Sequence, residues 1–435
     1  MRNSLLYRVL RLIGLIIFAA CGLTYAQEPS GNELRWWKGN LHSHTLWSDG
    51  DDYPEMAASW YKDHGYHFLS ITDHNICAVE GKWIDPGKKG GMAAYEKYAQ
   101  RFGQDWVQTR EEGANLQVKL RALPEFRGRL EEPGRFLLIA GEEVSDSALD
   151  SPVHLNAIYL QAVVPPQGGS TIFEAIQKNT NAIVEQGRST GQPILATLNH
   201  PNFFLARAGW LPNTAEDAAP VAGLKFVEVF NGHPGVFNTG NGTHVDMDRW
   251  WDIVLIQRLA EKKGEILYAV ATDDTHNYHE LAPGRANPGR GWIMVHSPAL
   301  QAESLIAALE AGDFYASTGV TLEKIESDEK EIRVAVAPEA GVTYKIQFIG
   351  TRRGFNPQST PLTDSEGKAI PGTCRYDGSI GAVLAEAEGT SAVYPFAGDE
   401  IYVRAKVISS KKQANGVHAD DLECAWCQPV VGKGQ

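Results

Sequence analysis

The stretch "WWKGNLHSHTLWSDG", residues 36–50, decides the fold. A short apolar run of strand character ends in two histidines one residue apart, His42 and His44, with Asp49 following in a Ser-Asp-Gly turn. Residues i and i+2 of a strand share a face, so the two imidazoles project side by side, as shared ligation of one metal ion requires. A single His-x-His pair is weak support, because histidines also serve as ordinary hydrogen-bonded residues. What matters is whether other strands end the same way.

Most of them do. Up to about residue 320 the first run is followed by "YHFLSIT", "RFLLIAG", "VHLNAIYL", "PILATLN", "KFVEVFN", "ILYAVAT" and "GWIMVH". Helix-like stretches lie between them at roughly 53–64, 91–119, 170–188, 244–263 and 301–311. Such alternation implies βαβ units and a mainly parallel sheet, and seven or eight units suit a closed barrel. Residues 277–290, "NYHELAPGRANPGR", are too rich in Gly and Pro for a crossover helix, so the eighth strand is expected to be antiparallel or outside the barrel, leaving seven regular units. The second strand runs into Asp73 and His74, the third into Glu142 and Glu143, and the fifth into His200. The sixth contains Glu228 and the seventh runs into Asp273, Asp274 and His276. His154, near the start of its strand, is the exception. In barrels the C-terminal strand ends converge on one rim, where catalysis sits. Imidazoles and carboxylates aimed together at one rim repel or lie unsatisfied without cations, so the set reads as a metal cluster.

The ordered series H-x-H…S-D-G, T-D-H, G-x-E, His154, H-P and D-x-H resembles the PHP (polymerase and histidinol phosphatase) superfamily over about residues 36–320. "GEEVS", "TDDTH", "GRGW" and "GDFYASTG" are similar to its branch of carbaryl-hydrolase-like metallohydrolases. The resemblance implies an α/β fold, a distorted (β/α)7 barrel, holding two or three divalent ions, Zn, Mn or Fe. Carried over by motif, His42 and His44 with Asp274 bind the first ion. Glu143 bridges it to a second, completed by His154 and His200, while Asp49, His74 and His276 form a third site. Glu143, Asp274 and Asp49 are thus the carboxylates at the catalytic centre, chosen over the neighbours Glu142 and Asp273 by the phase of G-x-E and D-x-H. Asp73 orients a ligand from behind. Glu228, His233 and Arg285 are weaker candidates for lining the pocket or holding a substrate, and Arg285 reads better as a solvated loop arginine. Arg290 lies just before the next strand, far from the rim, and Cys77 reads as a buried thiol.

The remaining sequence bounds the setting. A net charge of −13 and a pI near 5.5 argue against avid binding to nucleic-acid backbones or anionic membranes, leaving a small molecule as the expected partner. Arg2, Arg8 and Arg11 precede the apolar run "LIGLIIFAAC", with a cleavage point after Ala26. Residues 1–26 therefore read as a signal peptide, too short for a membrane span of ~20 residues, and the mature protein as periplasmic or secreted, without a transmembrane span. "FAAC" also resembles a lipoprotein box with Cys21 as the lipidated residue, which Phe18 fits poorly. Residues 27–320 form the expected barrel, interrupted by an insertion at 78–135 that reads as a helical pair and either a lid or a surface excursion. Beyond 320, period-two alternation in "EIRVAVAP", "TYKIQFIGT" and "IYVRAKVIS" predicts a C-terminal antiparallel β-sandwich over 321–435 that braces the barrel. Cys374 and the "CAWC" pair Cys424 and Cys427 suit a structural disulfide or buried thiols better than redox chemistry.

Together these features predict an exported hydrolase that uses a metal-bound hydroxide, preferably a phosphoesterase acting on a small phosphorylated metabolite or nucleotide. "FYAST" carries no serine-hydrolase elbow. The alternatives are hydrolysis of carboxylic or carbamic esters or amides, and non-catalytic ligand binding on the barrel.

Overall fold

β1 (Arg35–Asn40) buries one face of its Trp-rich run, and α1 (Pro54–Asp63) starts on a proline whose fixed φ suits a first helical turn. The structure, a computed structural model, describes residues 33–203, 209–241, 244–261 and 265–432. The signal peptide at 1–26 and Cys21 lie outside the described residues. From Leu34 onward the described chain forms one compact unit. After β2 (Phe68–Ile71), the insertion folds as β3 (Lys82–Ile84), α2 (Met92–Phe102), β4 (Thr109–Glu112), β5 (Asn115–Leu120) and α3 (Leu123–Leu130). The central sheet resumes with β6 (Leu137–Ala148) and β7 (Ser151–Ile158), then α4 (Ile172–Thr190), β8 (Leu195–Leu198), α5 (Ala215–Ala218) and β9 (Phe226–Asn231). It finishes with α6 (Met247–Ile256), β10 (Tyr268–Thr272), β11 (Trp292–Ser297), α7 (Ala302–Ala311) and β12 (Phe314–Ser317).

The strands lie in the order β10, β9, β8, β7, β6, β2, β1, β11, β12. They curl around one apolar plug to which Leu41, Phe68, Ile139, Ile158, Leu195, Phe226, Val270 and Ile293 each contribute. β10 meets β11 through Asp273, whose carboxylate accepts the backbone N–H groups of Arg290 and Gly291 at 2.6 and 2.8 Å.

Two expectations need correction. The described strands do not form seven regular parallel units, because β7 runs antiparallel to both β6 and β8. β6 and β7 are joined through Leu149 and Asp150, both with positive φ (53° and 57°), the backbone of a tight primed hairpin. Two residues cannot carry a crossover, so the strand must reverse. The helical reading of 91–119 also fails beyond Phe102, where Gly103 takes φ +82° and ends the helix. The period-two run "NLQVKL" then pairs as a β-hairpin strand with β4. β11 is antiparallel to β1, one of the two arrangements that the Gly/Pro-rich loop before it suggested.

β12 pairs with Leu422–Cys427, and through it the sheet continues into Glu400–Lys412, Tyr344–Arg352 and Ala382–Glu388. A second sheet, Leu322–Ser327, Glu331–Val336 and Ser391–Pro395, shares an apolar cluster with it that includes Ile332, Val334, Ile346, Phe348 and Val407. Among the described residues Cys77, Cys374, Cys424 and Cys427 are free thiols, and no helix is long and apolar enough to cross a membrane.

One buried ion pair ties α6 to the C-terminal strands. Arg404, with no exposed surface, donates to both oxygens of Asp252 at 2.8 and 2.7 Å, and Tyr402 OH donates to the same carboxylate at 2.8 Å. Removing one partner of a buried pair costs about 3–5 kcal/mol when the other is left unpaired, but Arg404 would keep Asp248, 3.0 Å from its Nη1. Asp252→Ala is therefore expected to lower the unfolding free energy by about 3 kcal/mol, the low end of that range, in a denaturant titration. A loss under about 1 kcal/mol would show that the pair does not hold the two regions together.

Candidate metal centre

Each ligand candidate reaches the centre for a local reason. His42 and His44 lie just past β1, and their Nε2 atoms approach to 3.1 Å. His74 follows β2, and Glu143 sits within β6. The reversal of β7 explains His154. The start of an antiparallel strand lies at the rim where its parallel neighbours end, and His154 pairs with Ser145, two residues past Glu143. His200 and Asp274 follow β8 and β10 in left-handed backbone conformations, φ 28° and 51°. Strain of this kind persists where surrounding structure imposes it, commonly at functional sites.

These residues converge. Oε1 of Glu143 lies 3.3 Å from His42 Nε2, 3.1 Å from His154 Nδ1 and 3.2 Å from His200 Nε2. Its Oε2 lies 2.7 Å from His74 Nδ1 and 3.5 Å from His44 Nε2. Asp274 Oδ1 lies 3.3 Å from His42 Nε2 and 3.1 Å from His44 Nε2. Asp49, on a turn and half exposed, faces His276, His74 and His44 at 3.3, 3.5 and 3.7 Å. The ligand atoms fall into four overlapping groups able to hold an ion: His44–Asp49–His74–His276, His42–His200–Asp274, His42–His44–Glu143 and His74–Glu143–His154. All nine residues that the sequence motifs single out as ligands are members.

Neighbouring groups hold the ligands in place. His42 Nδ1 bonds Glu228 Oε1 at 2.7 Å, and that carboxylate also accepts Thr272 Oγ1, Asn231 Nδ2 and the backbone N–H of His200. With Nδ1 turned to Glu228, His42 faces the cluster with Nε2, which can bind an ion once it gives up its proton. Asp73 accepts four hydrogen bonds, from the backbone N–H and hydroxyl of both Thr45 and Ser48, and so fixes the turn that carries Asp49. Asn199 donates to Glu143 at 2.9 Å and Ser145 bonds His74 at 2.6 Å. No spacing in the sequence points to Asn199, Asn231, Thr272 or Ser145, because amides and hydroxyls carry no ligand signature of their own.

Burial disfavours charge throughout, yet the surrounding imidazoles outweigh it at Glu143 and Asp274, whose pKa values sit well below the usual carboxylate range. At His42, burial is outweighed by Asp274, Glu228 and Glu143, which raise its pKa well above the ordinary value. His44 is pushed down to about 3 by burial and by the neighbouring His276 and His74. His74 rises to about 11 because Glu143 and Asp49 overcome burial. The two ionised carboxylates are balanced by positive charge, which protons on His42 and His74 supply here and cations would supply in their place. Oε2 of Glu143, although 2.7 Å from His74 Nδ1, makes no well-aligned hydrogen bond. The donor set therefore fits divalent cations, which bind deprotonated carboxylates and neutral imidazoles.

The remaining candidates separate cleanly. Glu142 accepts the backbone N–H of Val164, and Asp273 accepts Tyr61 OH and the backbone before β11, so neither joins the cluster. His233 stands beside it, its ring centroid 5.5 Å from that of His276. Arg285 is an exposed arginine paired with Glu280 and is not brought into the site. Arg290 is buried and donates to the carbonyls of Gly232, Arg285, Ala282 and Asn415, lacing loops together. Burial pushes the Cys77 thiol up to about 12.

No protein-family model and no curated protein matches the chain. Among solved structures it is similar to a two-domain Bacteroides vulgatus protein containing a predicted PHP-like metal-dependent phosphoesterase. Identity there is 13%, covering 93% of this chain and 98% of that one, with a TM-score of 0.38. A putative metal-dependent phosphoesterase from Bifidobacterium adolescentis is 14% identical over 56% of this chain and 89% of its own, at a TM-score of 0.29. An amidohydrolase from Chromobacterium violaceum, with bound sulfate and no metal, is 15% identical over 57% and 93%, at 0.27. Similarity of that degree carries no functional inference.

Loss of a partner that orients a metal-bound histidine typically lowers metal affinity 10–100-fold. Glu228→Gln should weaken metal binding by about that factor in a competition titration with a chelator. Unchanged affinity would remove Glu228 from the site.

Proposed function

We propose that the chain is a metal-dependent hydrolase of the PHP type, with a distorted (β/α)7 barrel, a C-terminal β-sandwich and two or three divalent ions. The observation that carries this reading is the convergence at one rim of nine ligand-type side chains, two of them the buried and ionised carboxylates Glu143 and Asp274. Its preferred substrate is a small phosphorylated metabolite or nucleotide, a preference that rests on the resemblance of the ligand series to that superfamily. The sequence of residues 1–26 supports an exported, periplasmic or secreted setting.

Divalent ions in this cluster would supply the acidity and positive charge that ester hydrolysis needs at neutral pH. The chain does the positioning. Glu228 sets the tautomer of His42, Asn199 and Asn231 steady Glu143 and Asp274, and Asp73 shapes the turn beneath Asp49. His233 accepts the Gly235 N–H at Nδ1, 2.9 Å away, so its own proton sits on Nε2. Burial pushes its pKa down to about 4, so at neutral pH the ring is neutral and Nε2–H is its donor.

The second reading, hydrolysis of carboxylic or carbamic esters or amides as in the carbaryl-hydrolase-like branch, is favoured by one feature. Among the described residues the ion-pair partners of Glu143, Asp274 and Asp49 are all histidines. No Lys or Arg among the described residues pairs with these carboxylates, so charge to meet a phosphate would come mainly from the ions.

Elemental analysis of the purified protein, paired with turnover of p-nitrophenyl phosphate, bis-p-nitrophenyl phosphate and p-nitrophenyl acetate, tests both. Two or three ions and phosphate-ester turnover that falls at least ~100-fold in His42→Ala are expected, at or beyond the top of the range for losing a mere orienting partner. Turnover of acetate alone would transfer the assignment to carbon-centred hydrolysis. Metal without turnover of any of the three would leave ligand binding, and a metal-free protein would sink the metal-centre reading.

A further inference from the structure

Asp49 is the one member of the cluster that stands on a turn and is half exposed, with 55% of its side chain accessible. Something must hold that turn still. On the cluster side Asp73 does so, as described. On the opposite side the turn is held by the insertion.

Trp47, two residues before Asp49, is gripped at two points. Its carbonyl accepts Lys82 Nζ at 2.7 Å, and its indole Nε1 donates to the Arg121 carbonyl at 3.2 Å. Lys82 also lies over the indole ring, 4.6 Å from its centroid. Both grips come from one end of the small sheet, because Lys82 of β3 pairs with Leu120 of β5 and Arg121 follows directly. Leu46, fully buried, belongs to the apolar cluster of the insertion with Tyr98, Val118, Leu120 and Phe126. It packs against Gly90, which takes φ +77° and where a Cβ would come within 2.8 Å of a Leu46 methyl. The insertion is itself anchored on α1, where Tyr98 stacks on Tyr53 with centroids 4.2 Å apart and Glu55 accepts Tyr98 OH and Trp106 Nε1 at 2.7 and 3.1 Å.

We infer that residues 78–135 are a positioning element for the outer ligand group, Asp49 with His74 and His276. The insertion holds Asp49 through the Lys82–Trp47–Arg121 grip and thereby determines how tightly the outermost ion is bound. The other ligands lie within or immediately beyond strands of the central sheet or on the loop after β10, and do not depend on it. This rests on the metal-centre reading above.

The test compares Lys82→Met, Trp47→Phe and their double variant with wild type, titrating Mn or Zn to saturation and then withdrawing it with graded chelator. The expected result is one ion per chain bound about 10–100-fold more weakly, with the others unchanged, and affinity restored in Lys82→Arg, which keeps a donor to the Trp47 carbonyl. Lys62→Met is the control. It cuts the hydrogen bonds from α1 to the Leu130 carbonyl and Glu132 at the far end of the insertion, so it should lower the thermal midpoint yet retain every ion. Three outcomes overturn the inference while leaving the metal centre intact: wild-type affinity in the double variant, equal ion loss in Lys62→Met, or saturation of wild type at two ions. A wild-type protein that binds no ion defeats the metal-centre reading instead.

Discussion

A single buried carboxylate governs this molecule. Glu143 has no exposed surface, is held in its ionised form, and lies within 3.5 Å of nitrogens from five histidines on four separate stretches of chain. Burying an anion without compensation costs several kcal/mol, so the surrounding fold is organised to surround it with donors and to leave room for cations. The reversal of β7, the left-handed backbones of His200 and Asp274, and the hydrogen bonds on Glu228 all serve that arrangement. A sheet that merely packed an apolar core would need none of them.

Much of this was legible in the sequence because strand ends are chemically conspicuous. Histidines and acids at the close of apolar runs stand out, and the phase of the G-x-E and D-x-H motifs, supplied by the family resemblance, separates two adjacent acids. Thus Glu143 and Asp274, rather than Glu142 and Asp273, lie among the imidazoles, and Asp73 acts on the Ser-Asp-Gly turn from behind.

The illegible parts share a physical cause, which is that pairing direction is not a local property. "RFLLIAG" and "VHLNAIYL" look alike whether they run together or opposed, and only the two-residue link at Leu149–Asp150 decides between them. Asp150 suits positive φ but Leu149 does not, so the turn gave little warning. The misplaced helix over 103–119 has a similar origin, since "NLQVKL" fits either period over so short a span. The orienting groups Asn199, Asn231 and Ser145 were invisible because their roles arise from contacts distant in sequence. Residues of the insertion were legible as extra chain but not as the grip on Trp47, which depends on two strands meeting side by side.

The pairing of β12 with Leu422–Cys427 has a consequence for the order in which the protein is made. Tyr315 pairs with Cys427 and Ser317 with Ala425, so one edge of β12 stays bare until the segment around residue 427 has been synthesised. A bare edge is a template for another chain. During synthesis, or in any fragment cut before that segment, β12 is therefore a stretch open to pairing with a neighbour, although the ligand cluster is by then complete in sequence. Assembly of the metal-binding residues and protection of the sheet are thus separated in time, and aggregation rather than loss of ligands is the hazard in between.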